Sequence, residues 1–201
     1  MTEEKEKKVE EIKKEAEAKG CPVRQAHYYI NEFLQGPMCG RCFPCSMGSY
    51  EARVRLGRLI GGSGSPSDID AIKRIAENMA LSSFCKKGKD TAKFITDWMA
   101  TGVYEEHAKG RCPDKQCKGL VEFRIIPDKC TNCGDCIDAC KADAIIGEKR
   151  VSYRSGYLPF EIRQARCTKC GDCVPACPEN AIEITDKAAE PEARPVRASV
   201  V

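Results

Sequence analysis

The chain has 201 residues, 15 of them cysteine, and a formal net charge of only +3. That charge is too small and too evenly spread for a nucleic-acid binder, and no apolar run approaches the roughly 18 residues of a membrane span. Fifteen cysteines cannot pair completely within one chain, and no apolar leader opens the sequence, so metal binding in a reducing, cytoplasmic setting is expected rather than a disulfide framework.

Residues 1–20 are almost all Glu, Lys and Ala, with Val9 and Ile12 the large branched apolars. High helix propensity with almost nothing to bury predicts a solvated helix or a frayed tail without chemistry. From Pro22 the residues Val23, Ala26, Ile30, Phe33 and Leu34 make a helical stripe that ends at Gly36-Pro37. MCGRCFPC follows and sets Cys39, Cys42 and Cys45 two residues apart each time, ahead of a helix with Ala52, Leu56, Leu59 and Ile60 on one face. Gly61-Gly62-Ser63-Gly64 reads as an interhelical turn, because no strand precedes it and neither a lysine nor G-x-G-x-x-G completes a nucleotide loop. Ser65-Pro66-Ser67-Asp68 then starts a helix, with Ser65 as N-cap and Asp68 closing a capping box. Ile69, Ile72, Ile75, Ala76 and Met79 are its predicted buried face, and it delivers Cys85 just past its end. A further helical stripe, Phe94, Ile95, Trp98 and Met99, runs on toward Val103 and Tyr104 and reads as core.

Residues 21–117 are therefore expected to form a small helical bundle. Three closely spaced thiolates and one distant thiolate, Cys85, are a way to hold one [4Fe-4S] cluster. The run EEHAKGRCPDKQC adds His107, Cys112 and Cys117, which with Cys21 supply four N/S ligands for a closed tetrahedral zinc site. The alternative is that these cysteines are reduced surface thiols and His107 a solvated helix-end residue. His27, the other histidine, reads as an ordinary helix residue.

After Lys118, LVEFRII predicts the first strand of a second unit, residues 118–187. Its cysteines fall at 130, 133, 136 and 140, and again at 167, 170, 173 and 177. Each run is C-x2-C-x2-C-x3-C, a spacing that lets three thiolates on one tight loop hold three irons of a cubane. In bacterial-type dicluster ferredoxins, which this stretch resembles, the fourth cysteine ligates the other cluster. The expected sets are Cys130, Cys133, Cys136 and Cys177 for one [4Fe-4S] centre, and Cys167, Cys170, Cys173 and Cys140 for its twin. Zinc ribbons use paired C-x2-C knuckles, not an intact four-cysteine run repeated. Gly134 and Gly171 suit the backbone turns of such loops. Pro178 follows the last cysteine, whereas Lys141 takes that place in the first half, where the local turn is open to change. Between the runs, AIIGEKRVSYRSGYLPFEI predicts strand, turn, strand, and Ala181-Ile182-Glu183-Ile184 closes the unit. Residues 188–201 are expected to be a disordered tail.

The segments MCGRCFPC, SPSDIDAIKRIAENMALSSFC and FITDWMATGVYEEH resemble the iron–sulfur bundle that ends the NADH-binding flavoprotein subunit of respiratory complex I. The beta subunits of NAD-linked, electron-bifurcating [FeFe]-hydrogenases are closer still, because there a dicluster ferredoxin follows the bundle. This resemblance covers about residues 25–185. The family usually reads Ser-Cys-Gly at the first cysteine and has Arg after the third, where this chain has Met38 and Ser46. The resemblance implies an α+β chain, with a one-cluster helical bundle followed by a 2[4Fe-4S] ferredoxin domain. The flavin and NADH domain that precedes the bundle in the family has no counterpart in this sequence. No flavin or NAD(P) is therefore expected in the chain, and its partners would be a flavin/NAD(P)H-binding subunit and other iron–sulfur subunits. The expected function is electron relay through three [4Fe-4S] clusters, with no catalytic site of its own, within a flavin oxidoreductase that is NAD(P)H- or ferredoxin-linked. A free-standing polyferredoxin carrier is the alternative, and a zinc-binding structural module a third.

Overall fold

The computed structural model describes residues 8–153 and 155–187; the tail expected at 188–201 lies outside the described residues. The chain is α+β. Its first half consists of α1 (Val9–Glu17), α2 (Pro22–Gln35), α3 (Phe43–Gly61), α4 (Pro66–Ser82), α5 (Lys86–Thr96) and α6 (Val103–Ala108). Neighbours in sequence pack on one another around Val23, Ile30, Phe33, Leu56, Leu59, Ile72, Met79 and Ile95. The apolar periodicity of α2, α3 and α4 is the cause, since each stripe must be covered by the next helix. Tyr29 stacks on Phe94 at 4.4 Å between ring centres and joins α2 to α5.

Two expectations need correction. Residues 1–7 of the N-terminal segment lie outside the described residues; from Val9 it is not a solvated helix, because Ile12 and Ala16, one turn apart on α1, are 1% and 0% exposed within the bundle core. Tyr28 on α2 donates to Glu15 at 2.6 Å and holds the helix there. The stripe from Phe94 to Tyr104 is likewise not one helix. It stops at Thr96, passes through a short 3-10 turn at Met99–Thr101, and restarts after Gly102, whose φ of 74° no continuing α-helix accepts. Trp98, read as core, is 37% exposed at that break.

The start of α4 has the expected capping box. Asp68 accepts from the Ser65 amide at 3.0 Å and the Ser65 hydroxyl at 2.9 Å, while Arg55 reaches its other oxygen at 2.9 Å and Arg58 at 3.3 Å. Burial alone would raise the Asp68 pKa, but Ser65, Arg58 and Arg55 together hold it below its ordinary value. A depressed carboxylate contributes stability above the unfolded pKa and loses it as pH falls through the folded one. Asp68→Asn is therefore expected to cost about 2 kcal/mol in unfolding experiments at neutral pH. That gap to the unaltered protein should close below about pH 4.

The second half begins where one core gives way to the other: Leu120 is buried in the bundle and Val121 in the next unit. Strand β1 (Val121–Ile125) pairs antiparallel with β4 (Ile182–Asp186), Phe123 opposite Ile184; β2 (Ile145–Ile146) pairs with β3 (Glu161–Ile162). Two short helices, α7 (Asp135–Asp138) and α8 (Cys173–Ala176), pack together beside these ribbons. The glycines of the α3–α4 turn serve the junction: a methyl on Gly119 would lie 2.6 Å from the Cα of Gly61. No helix among the described residues is long and apolar enough to cross a membrane.

Candidate metal centres

The structure gathers the cysteines into three four-membered groups and one mixed group. In the bundle, Cys39, Cys42, Cys45 and Cys85 line a hollow of about 250 Å³, with Phe33, Arg41 and Lys87 at its wall. Cys42 is the N-cap of α3 and Cys85 the N-cap of α5, and neither spends its side chain on capping. Cys45 is pushed up to about 11, by burial first and then by the charges of Cys42 and Cys85. A hollow in which burial and neighbouring thiolates oppose the ionisation of Cys45 suits a cationic centre that would take all four as thiolates.

The ferredoxin half repeats this arrangement twice. Cys130, Cys133 and Cys136 share a hollow of about 310 Å³ with Cys177; Cys167, Cys170 and Cys173 share one of about 330 Å³ with Cys140. The fourth cysteine of each run thus faces the other run's hollow. Burial, then neighbouring thiolates, raises Cys136 to about 11; burial and the thiolates of Cys167, Cys170 and Cys140 do the same for Cys173.

Backbone conformation repeats with the sequence. Asn132 and Lys169, both at φ 56°, occupy matching places, as do Gly134 (95°) with Gly171 (89°) and Asp143 (47°) with Asn180 (47°). The Ala144 amide donates to Cys140 Sγ at 3.4 Å, and the Ala181 amide to Cys177 Sγ at 3.3 Å. Lys141 leaves the turn after its cysteine intact, since Asp143 keeps the conformation of Asn180; its ammonium reaches Asp172 at 3.3 Å.

One asymmetry was invisible in the spacing. Asn132 is buried and donates through Nδ2 to the carbonyls of Glu148, at 3.2 Å, and Leu158, at 2.7 Å, while its own backbone carbonyl accepts from the Arg150 amide at 2.9 Å. It thereby ties the segment between the two runs to the first cysteine loop. Lys169, its counterpart, instead donates to the Lys118 carbonyl at 2.7 Å. The asparagine between the first two cysteines was the signal that could have found it, since its short amide tolerates a left-handed conformation.

The fourth group is Cys21, His107, Cys112 and Cys117, all buried, with ligand atoms within 4.8 Å of one another. They come from the N-cap of α2, the last turn of α6 and the loop beyond it. His107 Nδ1 lies 2.8 Å from the Val103 carbonyl, a group that can only accept, so Nδ1 carries a proton and Nε2 is the ring nitrogen turned toward the sulfurs. Nε2 is 3.2 Å from Cys21 Sγ and 3.3 Å from Cys117 Sγ, and the two sulfurs are 3.7 Å apart. Sulfurs at the corners of a tetrahedron about zinc stand about 3.8 Å apart, so the spacing fits that ion. Burial opposes a charge on His107, yet hydrogen bonds to Cys112 and Cys21 raise its pKa to about 10. Hydrogen bonds from Cys117 and Cys21 pull the Cys112 thiol strongly down. A buried set of one imidazole and three thiols this close together has the donors to hold a cation. The alternative of surface thiols and a solvated histidine is overturned by the burial of all four residues. His27 is no part of any group; burial and Arg53 lower its pKa.

Known proteins show the same two-part organisation. Residues 25–106 match the NADH-ubiquinone oxidoreductase-F iron-sulfur binding region, and residues 129–182 and 166–199 match 4Fe-4S dicluster domains. The first part of the chain thus matches an iron–sulfur binding region of the NADH-ubiquinone oxidoreductase-F type, and the second part 4Fe-4S dicluster domains. Over 65% of its length it is 32% identical to the NADP-reducing hydrogenase subunit HndC of Solidesulfovibrio fructosivorans, of which it covers 27%. Over 37% it is 39% identical to the NADP(+)-dependent formate dehydrogenase subunit beta of Moorella thermoacetica, covering 10% of that protein. Over 50% it is 36% identical to the NADH-quinone oxidoreductase F protein of Streptomyces coelicolor, covering 23%. The chain thus spans less than a third of the curated relatives it matches. The parts of it that match are iron–sulfur-binding regions.

Proposed function

We propose that the chain is the electron-relay part of a multisubunit NAD(P)H- or ferredoxin-linked flavin oxidoreductase, a bifurcating complex being one form of it. It holds three [4Fe-4S] clusters: one on Cys39, Cys42, Cys45 and Cys85; one on Cys130, Cys133, Cys136 and Cys177; one on Cys167, Cys170, Cys173 and Cys140. A zinc ion sits on Cys21, His107, Cys112 and Cys117. The observation that carries this reading is the trio of separate hollows, each walled by four cysteines. A bound cluster supplies one-electron chemistry at a potential set by its surroundings. The chain supplies the thiolates, backbone amides directed at Cys140 and Cys177, and apolar walls at Phe123, Phe160 and Ile182 that exclude water.

The partner reading rests on the surface beside the bundle hollow. Cys39 and Cys85 are exposed there, and close by in sequence stand the exposed apolar side chains Phe43, Met47, Leu81 and Phe84, the last 86% accessible. Large exposed apolar groups beside an exposed ligand suit a docking face for the flavin-binding partner. A tagged chain isolated anaerobically from its source should bring down a flavoprotein that oxidises NAD(P)H. Phe84→Asp should cut that recovery at least about tenfold, about 1.4 kcal/mol, without loss of iron. Isolation as a lone protein without flavin would contradict this reading and favour the free carrier.

A further inference from the structure

Two buried hydroxyls next to the bundle hollow, Ser49 Oγ and Ser83 Oγ, have no hydrogen-bond partner. They are 0% and 3% exposed. Ser49 follows Cys45 by one helical turn on α3, so its side chain stands over the same face. Ser83 arrives from the end of α4. Gly88 on α5 marks where these groups meet: a methyl there would lie 2.7 Å from Ser83 Oγ and 3.1 Å from Cys45 Sγ. An unpartnered hydroxyl is costly to bury, and the group next to both that gains negative charge on ligating a metal is the Cys45 sulfur.

We propose that Ser49 and Ser83 donate hydrogen bonds to the Cys45 thiolate and raise the reduction potential of the bundle cluster. This rests on the three-cluster reading. A donor at a ligating sulfur withdraws charge and favours the reduced, more negative state. Among its described residues the ferredoxin half has no such pair: Cys140 and Cys177 receive backbone amides, which no side-chain replacement removes. The two serines therefore set the bundle cluster apart from its neighbours.

The test is a redox titration of the anaerobically prepared full chain, followed by electron paramagnetic resonance. Ser49→Ala and Ser83→Ala should each lower the midpoint of the bundle centre and leave the two ferredoxin centres unmoved. Together they should reduce its reduced-to-oxidised ratio at fixed potential at least tenfold, about 59 mV for one electron. Ser49→Thr, which keeps the hydroxyl, should restore the midpoint. If one variant loses the cluster, the other must still move the midpoint downward. An unmoved or raised midpoint in variants that retain their iron overturns the inference and leaves the three-cluster reading standing. Absence of a bundle centre in the unaltered protein overturns both.

Discussion

Replacing Cys140 by alanine is expected to remove an iron centre from the opposite run of cysteines and to leave its own run's centre in place. Cys140 follows Cys136 by four residues, yet its sulfur lines the hollow of Cys167, Cys170 and Cys173. The Ala144 amide holds it there at 3.4 Å. Without that thiolate the second ferredoxin cluster loses one of four ligands, whereas the first keeps Cys130, Cys133, Cys136 and Cys177. Iron content should fall by about four per chain, or by about one if a three-iron remnant survives. Cys140→Ala and Cys170→Ala should erase the same paramagnetic signal, and Cys133→Ala and Cys177→Ala the other. If Cys140→Ala and Cys133→Ala erased one and the same signal, the crossed assignment would be wrong.

Loss of the fourth, mixed site should be the largest single blow to stability. Elemental analysis is expected to find about one zinc per chain, and His107→Ala or Cys112→Ala to abolish it. The loop that carries Cys112 and Cys117 also fastens the two halves. The Cys112 amide donates to Asp186 at 3.2 Å, Lys115 Nζ to the Ile184 carbonyl at 2.6 Å, and the Lys187 amide to the Leu120 carbonyl at 2.7 Å. Without the ion, three buried thiols and an imidazole face one another uncompensated. A loss of about 4 kcal/mol or more is expected, the size associated with a missing structural metal. Hydrogen exchange should quicken at Cys112, Lys115, Leu120 and Lys187, while the iron content stays unchanged. Metal-free protein whose melting temperature is indifferent to His107→Ala would refute this.

Much of the architecture was legible in the sequence because its signals are local. Ser65, Pro66 and Asp68 form their capping box within four residues, and the apolar stripes of α2 and α4 recur at helical spacing. The cysteine runs declare themselves by spacing, because a loop of that length has few ways to turn its sulfurs to one centre. Other features depend on segments distant in sequence. Cys21, His107, Cys112 and Cys117 were named together as a ligand set, but their closeness was not legible: Cys21 lies 86 residues from His107, and the packing of α2 against α6 brings them to 3.2 Å. Ile12 and Ala16 make too short a stripe to announce burial, yet α2 covers both completely. Ser49 and Ser83 look like ordinary polar residues until α3, α4 and α5 close on Cys45. Gly102, which divides the last helical stripe, could have been noticed, but the apolar spacing on either side of it concealed the break.

Quantitation of iron and acid-labile sulfide in anaerobically purified chain, paired with dithionite reduction in the resonance spectrometer, tests the central claim most directly. Three reducible centres and about twelve irons with twelve sulfides per chain are predicted. Colourless protein with zinc alone, or protein that saturates at about eight irons after full reconstitution, would contradict it.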